Sequence, residues 1–258
     1  MLASVVGILG SVFINSCHRL GQIGMFLYES LIVLVTTPLK MPKVLQAMHF
    51  IGINSLSVVS LIGVTGGAVL AIQSYIGLHR FGAEQFIGPV IFLAMVREFG
   101  PVFTAIMVIG RAGSAITAEI GTMRITEQID ALQTLNINTK QYLIVPRLIA
   151  GTFILPFLSL WCSAFGVLAG YITAVFILNI NSETYMESIR TSAELSDITN
   201  GLVKATVFGF LLSLISTYKG FYTRGGAKGV GMATTESVVF ANVTIFIANY
   251  ILTSMMFS

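Results

Sequence analysis

Apolar runs too long for a soluble core dominate this sequence. The longest, Tyr142 to Ile180, carries a single charged residue, Arg147, near its start. A helix needs about 20 mostly apolar residues to cross a bilayer, so this run is longer than one crossing and must tilt, kink at Pro156 or protrude. The whole chain is 55% hydrophobic and only 10% charged, against about 25% charged in soluble domains. Its 258 residues hold about five such runs with short connections, leaving little for a soluble domain. The fold class is therefore an all-α integral membrane protein with about five transmembrane helices.

In chain order, residues 1–45 read as N-terminal interfacial helices and 46–258 as the transmembrane domain. His18, Arg19, Gln22 and Glu29 fall on one helical face, and Leu20, Ile23, Leu27, Leu31 and Leu34 on the other. The stretch 20–36 is also long enough to cross, and the pattern leaves both placements open. No basic residue precedes the first apolar run, so it does not read as a cleaved signal peptide. Pro38 and Pro42, beside Lys40 and Lys43, break the chain before span one, His49 to Ile76. Gly63 and Gly67 there form a GxxxG pair that fits either close helix packing or a merely glycine-rich span. Span two runs from Phe86 to Ile109, with a kink expected at Gly100-Pro101. Span three carries a second GxxxG pair, Gly166 and Gly170. Spans four and five run from Gly201 to Tyr218 and from Thr235 to Phe257.

The stretch from Arg97 to Leu135 organises the rest. Arg97 and Glu98 lie inside span two, where each ionisable group costs about 3 kcal/mol on insertion scales. Helix neighbours point about 100° apart, so each needs another partner: a second helix, water or a polar ligand. A cavity for an amphipathic substrate is the reading favoured over a structural ion pair, because Gly100-Pro101 frees backbone groups beside the charges. The chain leaves the apolar region at Gly110-Arg111. Between spans two and three, Ile125, Ile129 and Leu132 share a helical face, with Thr126 in position to cap its start. Such a helix can dock on a soluble partner or rest on the bilayer, and the pattern does not choose between them.

Basic residues accumulate before span one, between spans two and three, and between spans four and five. The positive-inside rule places those connections and the N-terminus in the cytoplasm, with the acidic segment 181–200 and the C-terminus outside. In that segment Tyr185, Ile189 and Leu195 suit a short helix facing the membrane. There is no GxxxxGK[ST], HExxH or GxSxG pattern; Gly225 to Gly229 reads as a flexible basic turn. The three histidines are scattered, and Cys17 and Cys162 have no metal-ligand spacing. Nothing suggests a catalytic set, a metal site or a nucleic-acid surface, so active transport would draw its energy from a partner or an ion gradient.

Arg97-Glu98-Phe99-Gly100-Pro101, Gly110 to Ala115, Ala118 to Met123, Glu127-Gln128 and Ala131-Leu132 together resemble the MlaE (YrbE-type) permeases of MCE lipid transporters. The resemblance covers the chain in length and span order. It implies a homodimer in the inner membrane of a Gram-negative bacterium, two ABC ATPase subunits that supply ATP and magnesium chemistry, and an outer hexamer of MCE-domain protein. Some systems add a STAS-domain protein. The substrate implied is phospholipid moving between inner and outer membranes, which maintains outer-membrane asymmetry, and the chain itself carries no cofactor. Arg97, Glu98 and Phe99 would line the lipid cavity, with Tyr75, Leu78 and Phe81 as neighbours. The segment 111–140 would be the coupling segment, meeting the ATPase through Glu119, Met123, Arg124, Glu127, Ile129, Asp130 and Leu132. The rivals are a secondary carrier with Glu98 as its proton site, an intramembrane lipid enzyme, and a structural subunit without a cavity.

Overall fold

The computed structural model describes residues 21–257, so the expected helices within 1–20, with His18, Arg19 and Cys17, lie outside it. The described residues form helices and turns without a strand. Helix α1 spans Gly21–Thr36. Helix α2 (Met41–Ile51) leads through a 3-10 turn (Ile53–Ser55) into α3 (Leu56–Leu78). Then follow α4 (Glu84–Ile125), α5 (Gln128–Thr134), α6 (Lys140–Ile177), α7 (Ser182–Ser192), α8 (Leu195–Phe221) and α9 (Gly226–Phe257). Five stretches are long and apolar enough to cross a membrane: α2–α3, α4, α6, α8 and α9. Five passes in series put α1, α5 and the α8–α9 turn at one end of the bundle and α7 at the other.

The two GxxxG pairs find each other. Helices α3 and α6 make the most extensive contact in the bundle. A Cβ on Gly67 would sit 1.9 Å from the Gly166 carbonyl oxygen, and one on Gly63 would sit 2.6 Å from the Cys162 carbonyl. With hydrogen as the only side chain, the two backbones touch, which replaces a hydrophobic driving force that lipid does not provide.

Span two does not end at Gly110-Arg111. Helix α4 continues to Ile125, because Ala112, Ile116 and Ile120 recur every fourth residue and are fully buried. On the same stretch Thr117 donates to the Ser216 carbonyl of α8, 3.0 Å away. Arg111 is held by the end of α2. Its Nε donates to Ser55 Oγ at 2.8 Å, and its Nη2 donates to the carbonyls of Phe50 and Ile51. Those carbonyls stand where α2 gives way to the 3-10 turn, so the guanidinium caps a helix end inside the bundle.

Thr126 does not cap α5. It closes α4, donating through Oγ1 to the Thr122 carbonyl. Glu127 precedes α5 with φ of 59°, a left-handed conformation that a side chain disfavours. Glu127→Gly is therefore expected to raise apparent stability by about 1 kcal/mol, read as a higher detergent-extracted melting temperature.

Helix α7 starts on Asn181, whose Oδ1 accepts from the backbone N–H of Glu183 and Thr184. Tyr185 does not face lipid. It is 1% exposed and packs edge-on against Tyr171, with centroids 5.5 Å apart. Ile189 packs on the same cluster, while Leu195 is exposed. Burial, then the neighbouring Tyr171, pushes the Tyr185 hydroxyl up to about 12. The folded pKa thus exceeds the unfolded one of about 10, so this contribution is whole below pH ~10 and is lost as pH rises toward 12. Tyr185→Phe is expected to remove that loss, about 1.4 kcal/mol per pH unit across the window, in melting curves collected from pH 9 to 12.

Candidate functional site

The charged pair of α4 is held by a local backbone change. Residues Met95–Phe99 form a π-helical turn that ends where Gly100-Pro101 begins a new α-helical stretch. Pro101 has no N–H for the carbonyl four residues earlier, that of Arg97. The Arg97 carbonyl oxygen accepts from Lys204 Nζ of α8, at 3.2 Å. A wide turn of this kind is frequent at functional sites. Here it re-aims Arg97 and Glu98 toward α8 and α9.

Arg97 Nε and Nη2 both reach Asp197 Oδ1, at 2.7 and 2.5 Å. Asp197 has a second role. Its Oδ2 accepts from the Glu194 backbone N–H in a capping box at the start of α8. The α8 N-terminus, which favours negative charge, thus holds the carboxylate that pairs with Arg97. Glu98 Oε1 accepts from Lys204 Nζ at 2.6 Å and from Thr253 Oγ1 at 3.1 Å, and its Oε2 accepts from Asn249 Nδ2 at 3.0 Å. Lys204 is fully buried, whereas the Arg97 and Glu98 side chains are about one-third exposed. Two ion pairs, two helical turns apart on α8, fasten α4, α8 and α9 within the membrane-spanning part.

Sequence reasoning asked what partners Arg97 and Glu98 had and missed Asp197, Lys204, Asn249 and Thr253. The signal was present: Lys204 is an ionisable residue inside an apolar run, which is a site hypothesis by default.

The other expected cavity residues divide. Tyr75, Leu78 and Phe99 pack around the second core cluster, on the α3 side of α4. Phe99 meets Phe103 at 5.0 Å between centroids, and Tyr75 stacks on His79 at 4.8 Å. Phe81 is apart from them, 84% exposed in the turn that follows α3.

The expected coupling residues lie together at the α5 end. Glu119 pairs with Arg147 at 2.8 Å, and Arg124 with Asp130 at 2.6 Å. Met123 and Leu132 pack against the main core. Ile129, expected on a face for a partner, is fully buried in this chain, because α5 turns its apolar stripe onto α4 and the bundle. Glu127, Gln128, Ala131, Gln133, Thr134 and Leu135 are left exposed.

Comparison with known proteins adds a separate line of observation. The family model described as Permease MlaE matches residues 44–255. A probable ABC transporter permease of Rickettsia typhi is 42% identical over 100% of this chain and 99% of its own length. The intermembrane phospholipid transport system permease MlaE of Haemophilus influenzae is 34% identical over the same shares. The chloroplast protein trigalactosyldiacylglycerol 1 of Arabidopsis thaliana is 40% identical over 83% of this chain and 61% of its own length.

Proposed function

This chain belongs to the MlaE permease family, and on that footing we propose that it is the membrane-spanning subunit of an ABC-type transporter moving phospholipids between inner and outer membranes. It is a multi-pass inner-membrane subunit, and ATP is hydrolysed by a separate ATPase, two copies of which meet its α5 end. One structural observation carries the coupling. Helix α4 is a single element from Glu84 to Ile125, with Glu98 in its first half and α5 following its far end. Glu98 and Ile125 are about 40 Å apart along it at 1.5 Å per residue. A push on α5 therefore moves the Glu98 region, and the π turns at Met95–Phe99 and Ile109–Gly113 are where α4 can bend.

Orientation follows from charge. Lys40, Lys43, Arg124, Lys140, Arg147, Lys219, Arg224 and Lys228 lie at the α5 end, and Arg80 and Arg190 at the α7 end. The α5 end and N-terminus are cytoplasmic, and α7 and the C-terminus periplasmic. The apolar window of α9 is only 11% buried against 56% for α6, so α9 has surface for a second copy of the chain. Phospholipid enters a cavity completed by that copy, beside Arg97 and Glu98. An MCE-domain hexamer receives it at the α7 end, and a STAS-domain protein, where present, acts on the ATPase.

ATP binding drives the two copies together and forces lipid outward. Native mass spectrometry of the chain, expressed with its neighbouring genes, tests this. Two copies with two ATPase subunits and bound phospholipid are expected. A lone chain that transports under a pH gradient alone would transfer the reading to a proton-coupled carrier. Leu135→Asp, at a position 70% exposed, is expected to leave the melting temperature unchanged and to cut ATPase co-purification at least tenfold, an effect of about 1.4 kcal/mol.

A further inference from the structure

Helix α7 has two chemistries on opposite sides. Tyr185 and Ile189 point into the bundle, and Glu183, Glu187 and Arg190 recur at helical spacing on the other side. Met186 lies between the two faces. Beneath α7 is a cavity of about 560 Å³ among α4, α6, α7 and α8, with Phe92, Val96, Ala164, Val167, Met186 and Ile189 in its wall. Above it is a shallower depression of about 740 Å³ lined by Asn181, Ser182, Glu183, Met186, Glu187 and Arg190. Both volumes fall in the range of ligand sites, about 300–1,000 Å³. Met186 lines both, so an apolar chamber adjoins a charged mouth. None of Glu183, Glu187 and Arg190 is in an ion pair among the described residues. Tyr185 also lines the chamber, with its hydroxyl buried in the bundle.

We propose that this is a binding site for one phospholipid with a zwitterionic, phosphoethanolamine-type headgroup. An acyl chain fills the chamber. The phosphate meets Arg190, and the ammonium lies against Glu183 and Glu187, so the mouth's two signs match the two signs of the headgroup. The site is distinct from the Arg97–Glu98 centre, whose charges are turned to α8 and α9.

The test uses the full chain in vesicles of equal parts phosphatidylethanolamine and phosphatidylglycerol, doped with either lipid carrying a photoactivatable acyl chain. Adducts are mapped by mass spectrometry. The ethanolamine probe is expected to label Val167, Met186 and Ile189 about tenfold more than the glycerol probe, the weight of one charge-assisted hydrogen bond. Exposed Leu61 and Val69 of α3 should show no preference. Glu183→Gln with Glu187→Gln, both at exposed positions, is expected to erase the preference without lowering the melting temperature, whereas Arg190→Glu is expected to weaken labelling by both probes. Ala164→Trp is expected to remove the labelling by filling the chamber. Equal labelling on α7 and α3, or a preference that survives Glu183→Gln with Glu187→Gln, would mean annular lipid only and overturn the proposal. Loss of the adducts when the other subunits are co-expressed would assign the chamber to a protein segment and overturn it too. Neither result bears on ATPase assembly, which the native masses read separately.

Discussion

Gly67→Ala is expected to prevent α3 and α6 from packing and to remove most of the folded protein from detergent extracts. The added methyl would lie 1.9 Å from the Gly166 carbonyl oxygen. That oxygen belongs to the backbone of a long buried helix, so no side-chain rotation relieves the clash. Overpacking ordinarily costs about 1–3 kcal/mol when side chains can shift; with a rigid backbone on the far side the cost here should exceed that range. Gly77→Ala, on the same helix with nothing within 4 Å of the new methyl, is the control. It should be neutral or stabilising by up to about 1 kcal/mol from helix propensity. Size-exclusion recovery and melting temperature of the two variants separate close packing from a general intolerance of α3 to change. Similar behaviour of both would sink the packing argument.

Lys204→Met is expected to cost about 3–5 kcal/mol, the usual penalty for stripping one partner from a buried ion pair. Lys204 is fully buried and serves Glu98, the Arg97 carbonyl and Thr253 at once. Removing it leaves the Glu98 carboxylate with Asn249 and Thr253 as neutral donors. The double variant Glu98→Gln, Lys204→Met should recover most of the stability, because both desolvated charges are gone. Lipid transport by the reconstituted complex should stay lost in the double variant if the Glu98 charge acts on lipid. Full transport in the stable double variant would reduce the pair to a structural fastener. The two readouts, melting temperature and transport, therefore divide the fastening role of the pair from its proposed role toward substrate.

Much of this protein is legible in its sequence because the bilayer leaves few choices. Apolar runs of sufficient length must be helices there, and the five expected spans stand in the expected order. The specific run from Arg97 to Leu132 was enough to place the family, which the match over residues 44–255 shows. The boundaries were less legible. Hydropathy ends the apolar run at Gly110-Arg111, yet the helix runs on to Ile125 and Arg111 is spent on Ser55 and the end of α2. Ile129 read as a partner-facing residue because periodicity gives an apolar stripe without saying what covers it; in the bundle the chain covers it itself.

What the sequence by itself determined was the class of solvent, the number of crossings and the presence of an expensive charged spot at Arg97-Glu98. Only the tertiary structure decided which groups meet that charge and which glycines meet each other. Asp197 and Lys204 lie 100 and 106 residues further along the chain from Arg97 and Glu98 respectively, and Gly67 meets Gly166 across two separate helices. Local patterns report the faces of one helix. The pairing of faces is a property of the bundle, where desolvated charges and bare backbone must each find a partner at once.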